Sequence, residues 1–125
     1  MIAHVSINVS DFAKSKEFYS KALAPLGYEL LRDLSEWSVA GFGADKKADT
    51  WVAAGEGYKQ ATHIAYLAKD KETVDAFYAA AMAAGGKHNG KPEYQLEYSP
   101  GYYAAFVFDL DGNNIEAVFH DPTKE

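Results

Sequence analysis

The chain has 125 residues, 48% hydrophobic and 14% aromatic, with a net charge of −6 and no cysteine. This length fits one compact domain with a true core, and the missing cysteine excludes disulfides, thiolate nucleophiles and cysteine-ligated metals. Eleven lysines and a single arginine, Arg32, are scattered without a basic stripe, which argues against nucleic acid and anionic membranes as partners.

No apolar run approaches the ~20 residues of a membrane span. The N-terminus has no basic region followed by a long apolar stretch, so no signal peptide is expected. A cytoplasmic protein is expected, and the lack of cysteine is compatible with that.

The first element is predicted in the stretch HVSINVSD, residues 4–11. Val5, Ile7 and Val9 alternate with His4, Ser6 and Asn8, which describes a half-buried strand with the histidine on the face away from the core. Asp11 is placed to cap a helix. Phe12, Ser15, Phe18, Tyr19, Ala22, Leu23 and Leu26 then recur at helical spacing, and Gly27 sits where that helix would end. Three strand signals follow, YELLRDL, WSVAGFG and TWVAAG, separated by polar or glycine-containing turns.

The order then starts again. HIAYLAKD, residues 63–70, repeats the opening with an offset of 59 residues, and Asp11, Phe18, Tyr19 and Gly27 meet Asp70, Phe77, Tyr78 and Gly86 in one ungapped register. Asp70 caps a second helix whose stripe is Val74, Phe77, Tyr78, Ala81 and Met82, stopped by Gly85-Gly86. The four helix aromatics are assigned to the core. A weak strand around 87–93, the strand YYAAFVFD and the strand NIEAVFH complete the copy. Gly112, in the turn DLDGN, fits the left-handed position of a three-residue hairpin loop. The chain is therefore α+β, two βαβββ modules at about 1–56 and 60–121. The loop 94–101, YQLEYSPG, has no counterpart in the first copy, and loops of that length often act as lids.

Glu116 lies inside the apolar strand IEAVF, where an unpaired carboxylate would cost several kcal/mol. A metal shared with His4 and His63, the repeat-matched strand histidines, would compensate it. Two imidazoles and a carboxylate also leave coordination positions open. A lone strand histidine is more often a packing or surface residue, and Glu116 alone has a lysine partner or a solvated face as its blander reading. The three-residue loop pairs Phe106 with Glu116 and Tyr102 with His120, whereas a two-residue loop would put Tyr103 in place of Tyr102. His120 shares the Glu116 face at the rim, and His88 is expected in solvent.

Paired βαβββ modules, a histidine on the first strand of each, an FY pair in each helix and the motif D-x-D-G-N-x-x-E together resemble the vicinal oxygen chelate superfamily. That group includes glyoxalase I, extradiol dioxygenases, fosfomycin-resistance transferases and bleomycin-resistance proteins. The resemblance spans essentially the whole chain, with Leu110 where the family turn often has proline. It implies two modules pairing into a curved mixed sheet around a cleft, helices outside. It also implies a divalent metal (Zn, Mn, Fe or Ni) on the concave face, and it places His4, His63 and Glu116 at ligand positions. The fourth position falls at or near Trp51, which cannot ligate.

Glyoxalase I carries a second glutamate there, which argues against that activity unless Glu56 serves. A phosphonate substrate would want more guanidinium than Arg32 offers. The extradiol enzymes use the same two-histidine, one-glutamate set, in chains with twice as many modules. The expectation is a metal-dependent enzyme of lyase, isomerase or oxygenase type acting on a small oxygen-chelating substrate, with Glu116 catalytic and Ser6, Trp51, Tyr98, Tyr102 and Phe106 contacting substrate. The alternative is a bleomycin-resistance-like protein that sequesters a small molecule without catalysis. The resemblance also implies a homodimer, in which His4 and Glu116 meet either within one chain or across the two subunits.

Overall fold

A computed structural model describes residues 2–55 and 61–124. Glu56 lies outside the described residues. The first module runs β1 (Val5–Val9), α1 (Phe12–Ala22), β2 (Glu29–Leu34), β3 (Val39–Ala44) and β4 (Lys47–Ala54). The second repeats it as β5 (His63–Leu67), α2 (Lys71–Ala83), β6 (Lys87–Tyr94), β7 (Tyr102–Phe108) and β8 (Asn114–His120). The expected βαβββ duplication is present, including the weak sixth strand.

Each helix starts where its capping aspartate predicts. The Asp11 carboxylate accepts from the Lys14 amide at 3.0 Å, and that of Asp70 from the Thr73 amide at 2.7 Å, each satisfying one first-turn donor. Two expectations shift. α1 closes at Ala22, and a 3-10 turn over Ala24–Leu26 carries the chain to Gly27, because Pro25 has no amide to continue the helix ladder. Trp37 lies in another 3-10 turn, before β3, and is 73% exposed.

The first sheet has the order β1-β4-β3-β2 and the second β5-β8-β7-β6. In each, the opening strand lies parallel to the closing strand and the remaining pairs are antiparallel. The core is shared: Ile7, Phe18, Tyr19, Phe42 and Val52 from the first module join Tyr66, Phe77, Val107 and Ile115 from the second. Helices cover this face, with α1 packed on α2 and α2 on β7. The opposite face of each sheet carries Ser6 and Asn8 on β1, with His4 just before the strand, and His63, Ala65 and Leu67 on β5, all exposed.

The modules are joined by polar contacts as well. The buried Asp109 carboxylate accepts from the Tyr19 hydroxyl at 2.7 Å, from the Asn113 side chain, and from the amides of Asp111 and Asn113. Asp111 accepts in turn from the Ser10 amide at 3.0 Å. The D-x-D-G-N turn thus ties the β7–β8 hairpin to α1 and to the end of β1. Burial first, then the charge of Asp109 and its hydrogen bond, push the Tyr19 phenol well above its ordinary value.

At the far end of the hairpin, Asp121 accepts from Thr123 and from the Tyr94 hydroxyl, and these bonds pull its carboxyl down to about 2.

Two measurements check these links. Tyr19→Phe removes one charge-assisted buried bond and is expected to lower unfolding free energy by roughly 1.5–3 kcal/mol in urea titrations. A folded-state carboxyl held low contributes stability that is present above the unfolded value and lost as pH falls through the folded one. Asp121→Asn should therefore flatten the loss of stability between about pH 4 and pH 2, and an unchanged acid limb would contradict that role.

Candidate functional site

The hairpin register decides which aromatic meets Glu116. Gly112 adopts φ +88°, and the Asp109 amide bonds the Asn113 carbonyl at 2.9 Å, closing the three-residue loop over 110–112. A glycine takes this left-handed conformation without the Cβ cost of other residues. Phe106 then opposes Glu116, and Tyr102 opposes His120. Tyr102, not Tyr103, is on the site face. Tyr103 turns the other way and donates to Asp75 at 2.7 Å.

Glu116 is 2% exposed, yet both its oxygens are satisfied. His63 Nε2 lies 2.8 Å from Oε1, and the Tyr102 hydroxyl donates to Oε2. The two partners explain how an apolar strand tolerates the carboxylate. The His63 side chain is 54% exposed, so the cluster opens to solvent through the imidazole. Burial first, then the hydrogen bond to Glu116 and its charge, hold the Tyr102 phenol well above its ordinary value. Tyr102 therefore stays protonated and donating at neutral pH. Phe106 stands 6.4 Å from the His63 ring, Tyr98 meets Tyr102 edge-on at 5.1 Å, and His120 meets Tyr102 at 5.5 Å, as centroid distances. His88, exposed as expected, pairs with the Tyr78 hydroxyl at 2.8 Å.

His63, Glu116, Tyr98, Tyr102 and Phe106 thus gather on the second sheet. His4, Ser6 and Trp51 lie on the first. Ser6 pairs in register with Trp51 as Ala65 pairs with Glu116, so Trp51 is the repeat counterpart of Glu116. Its ring lies over Gly41, where an added Cβ would come within 2.8 Å of it. His4 lines a different cavity, of about 230 Å³, between β1 and β5.

That cavity carries polar groups the sequence reasoning missed. Asp49 accepts from the Tyr28 hydroxyl at 2.8 Å and from Thr50 at 2.9 Å, and Thr50 also meets the Tyr66 hydroxyl. Burial pushes the Tyr66 phenol up to about 12. A buried threonine at 50 in a core-facing strand position was the available signal.

A divalent metal fits this chain in part. His63 Nε2 and Glu116 Oε1 are the right donor types, on one exposed-to-buried edge. No group of three histidine, cysteine, aspartate or glutamate side chains suited to a metal occurs among the described residues. The expected three-ligand set therefore does not assemble around Glu116 within one chain.

The family model of the Glyoxalase/Bleomycin resistance protein/Dioxygenase superfamily matches residues 1–117. The chain belongs to that superfamily, and its two modules have the corresponding architecture. No curated protein matches it. Among solved structures, it resembles a glyoxalase/bleomycin resistance protein from Albidiferax ferrireducens T118 at 26% identity and TM-score 0.77, covering 94% of this chain and 96% of that one. A glyoxalase/bleomycin resistance protein/dioxygenase family enzyme from Burkholderia phytofirmans PsJN matches at 18% identity and TM-score 0.71, over 95% and 98% of the two chains. An E144Q glyoxalase I mutant from Zea mays matches at 24% identity and TM-score 0.70, over 94% of this chain and 46% of that one. At these last two identities the likeness is one of fold. No described helix is long and apolar enough to cross a membrane.

Glu116 carries a desolvation cost that its half-exposed partner His63 does not share. Glu116→Leu combined with Tyr102→Phe removes the buried charge together with the part-buried hydroxyl that donates to it, and leaves His63 able to bond water. The double variant's unfolding free energy is expected to rise by about 1 kcal/mol or more, measured by urea or thermal unfolding. A marked loss would show the carboxylate to be structural.

Proposed function

We propose that this protein is a metal-dependent enzyme acting on a small substrate with two adjacent oxygens, and that each chain carries two separated halves of the metal site. His63 and Glu116 are one half. His4 is the other, and in a homodimer it would meet the His63 and Glu116 of a second copy. The observation that carries the reading is the pairing of buried Glu116 with a solvent-open imidazole, 2.8 Å apart, in a cluster walled by aromatics. Isologous pairing of two copies would complete two equal sites and use the duplicated modules symmetrically.

When bound, the metal supplies Lewis acidity that stabilises negative charge on the substrate oxygens. The chain's own residues orient and enclose. Tyr102 holds Glu116 Oε2, which leaves Oε1 directed at His63. Phe106 and Tyr98 form apolar walls beside them, and Trp51 and Ser6 would close the cleft from the second copy. With tryptophan in place of a second carboxylate, Glu116 is the one acid at the ligand positions. This favours a reaction driven by charge stabilisation over one needing a separate carboxylate base.

Metal content tests the first part. Protein purified without chelator should hold a divalent ion that His63→Ala loses. Less than about a tenth of an equivalent, unchanged by that substitution, would leave the sequestering role instead. A complementation experiment tests the second part. His4→Ala and Glu116→Gln should each fail to bind metal. After subunit exchange, verified by native mass spectrometry, the mixture should recover about a quarter of the wild-type metal, because half the dimers are mixed and each assembles one intact site. Recovery no greater than in the unmixed variants would refute the shared site.

A further inference from the structure

Beside the Glu116 cluster, between Phe106 and the 94–101 loop, runs a second concavity of about 320 Å³. It shares Phe106 and Tyr98 with the cluster, and the rest of its lining is mostly polar. Asn89, Gln95 and Asn114 present carboxamides, Glu93 a carboxylate and Tyr98 a phenol, and among the described residues no lysine or arginine lines it. Asn89 donates to the Asn114 carbonyl oxygen at 3.2 Å. Among the described residues, that bond leaves the Asn89 carbonyl and one N–H, and both Asn114 N–H groups, without a partner and able to meet a ligand. The Gln95 side chain and the Tyr98 hydroxyl have no hydrogen-bond partner among the described residues. The groove is thus rich in donors and acceptors with one negative charge.

Two features join it to the cluster. Phe106 is a shared wall: one side of its ring faces His63 at 6.4 Å, and the ring also rests on Gly90 of β6. A Cβ at Gly90 would lie 2.8 Å from the ring Cδ1 and 3.5 Å from the Phe106 Cβ, so any other residue there must displace the ring. Tyr98 is the second link, lining the groove while packing edge-on against Tyr102, which holds Glu116. The turn that positions Tyr98 is tied down by the Gln95 amide on the Tyr102 carbonyl at 2.7 Å and the Tyr98 amide on the Gln95 carbonyl at 3.0 Å.

We propose that this groove binds the distal end of the substrate and selects a neutral or cationic hydrogen-bonding group, such as a carboxamide or clustered hydroxyls, over an anion. The inference rests on the preceding reading for the position of the reacting end, and on the groove's own side chains for the chemistry of the distal end. Carboxamides bond amides and hydroxyls in both directions, whereas Glu93 repels a carboxylate that no lysine or arginine among the described lining residues offsets.

The test uses N-acetylglycinamide and its acid, N-acetylglycine, as probes on metal-free protein, read by the side-chain amide resonances of Asn89, Gln95 and Asn114. The amide should shift all three in a saturable way at about tens of millimolar, the range for so small a ligand. The acid should bind about fivefold or more weakly. Glu93→Gln should bring the acid close to the amide, and Gly90→Ala should abolish the shifts while the protein stays folded by the dispersion of its other resonances. Absence of saturable shifts, or equal binding of acid and amide in the unchanged protein, overturns the proposal. Because no metal is present, the outcome is independent of metal loading: a failed metal test with intact groove binding would refute the enzyme reading alone.

Discussion

The structure depends on one buried carboxylate, that of Asp109. It takes four donors: two hairpin amides, the Asn113 side chain and the Tyr19 hydroxyl. Three of these shape the β7–β8 turn, and the fourth reaches α1 of the other module. A buried charge is tolerated only when its hydrogen-bonding capacity is filled. Turn geometry and module docking are thereby coupled, since losing either strands the same charge. Asp111 extends the joint to the Ser10 amide. The motif that marks the family therefore works first as a fastener, and it sets the hairpin that carries Tyr102, Phe106 and Glu116.

The duplication is faithful in backbone and unequal in chemistry. Ser6–Trp51 and Ala65–Glu116 are equivalent pairs in their ladders, and the neighbouring strand contributes Gly41 in one and Phe106 in the other. In the first module the ring comes from the closing strand and lies over a glycine. In the second the ring comes from the middle strand and leaves the closing strand free to carry a carboxylate. Bulk is conserved across the pair while its position is exchanged, which is how one scaffold makes an apolar wall from one copy and a polar cluster from the other.

Much of this was legible from local pattern. Alternation of period two identified β1, the aspartates marked both helix starts, and the offset of 59 residues exposed the duplication and with it β5. Glu116 announced itself as a charge in an apolar strand, and the structure supplies its two partners. Other features were not legible locally. Trp37 reads as strand by composition but turns, because Ser38 takes a left-handed conformation with φ +56°. The choice of Tyr102 over Tyr103 needed the loop length. The carboxamide groove draws on β6, β7, β8 and the loop between β6 and β7, so no single segment displays it.

The sequence by itself determined the modules, their caps, the core stripes and the face on which each histidine stands. These follow from neighbours a few residues apart, where periodicity and capping act. Only the tertiary structure decided which residues share a site. It set His63, Glu116 and Tyr102 together and left His4 with Asp49 in another cavity. That partition is controlled by how one sheet docks on the other. The docking is fixed by contacts such as Tyr19 to Asp109, 90 residues apart, which no local pattern of the chain encodes.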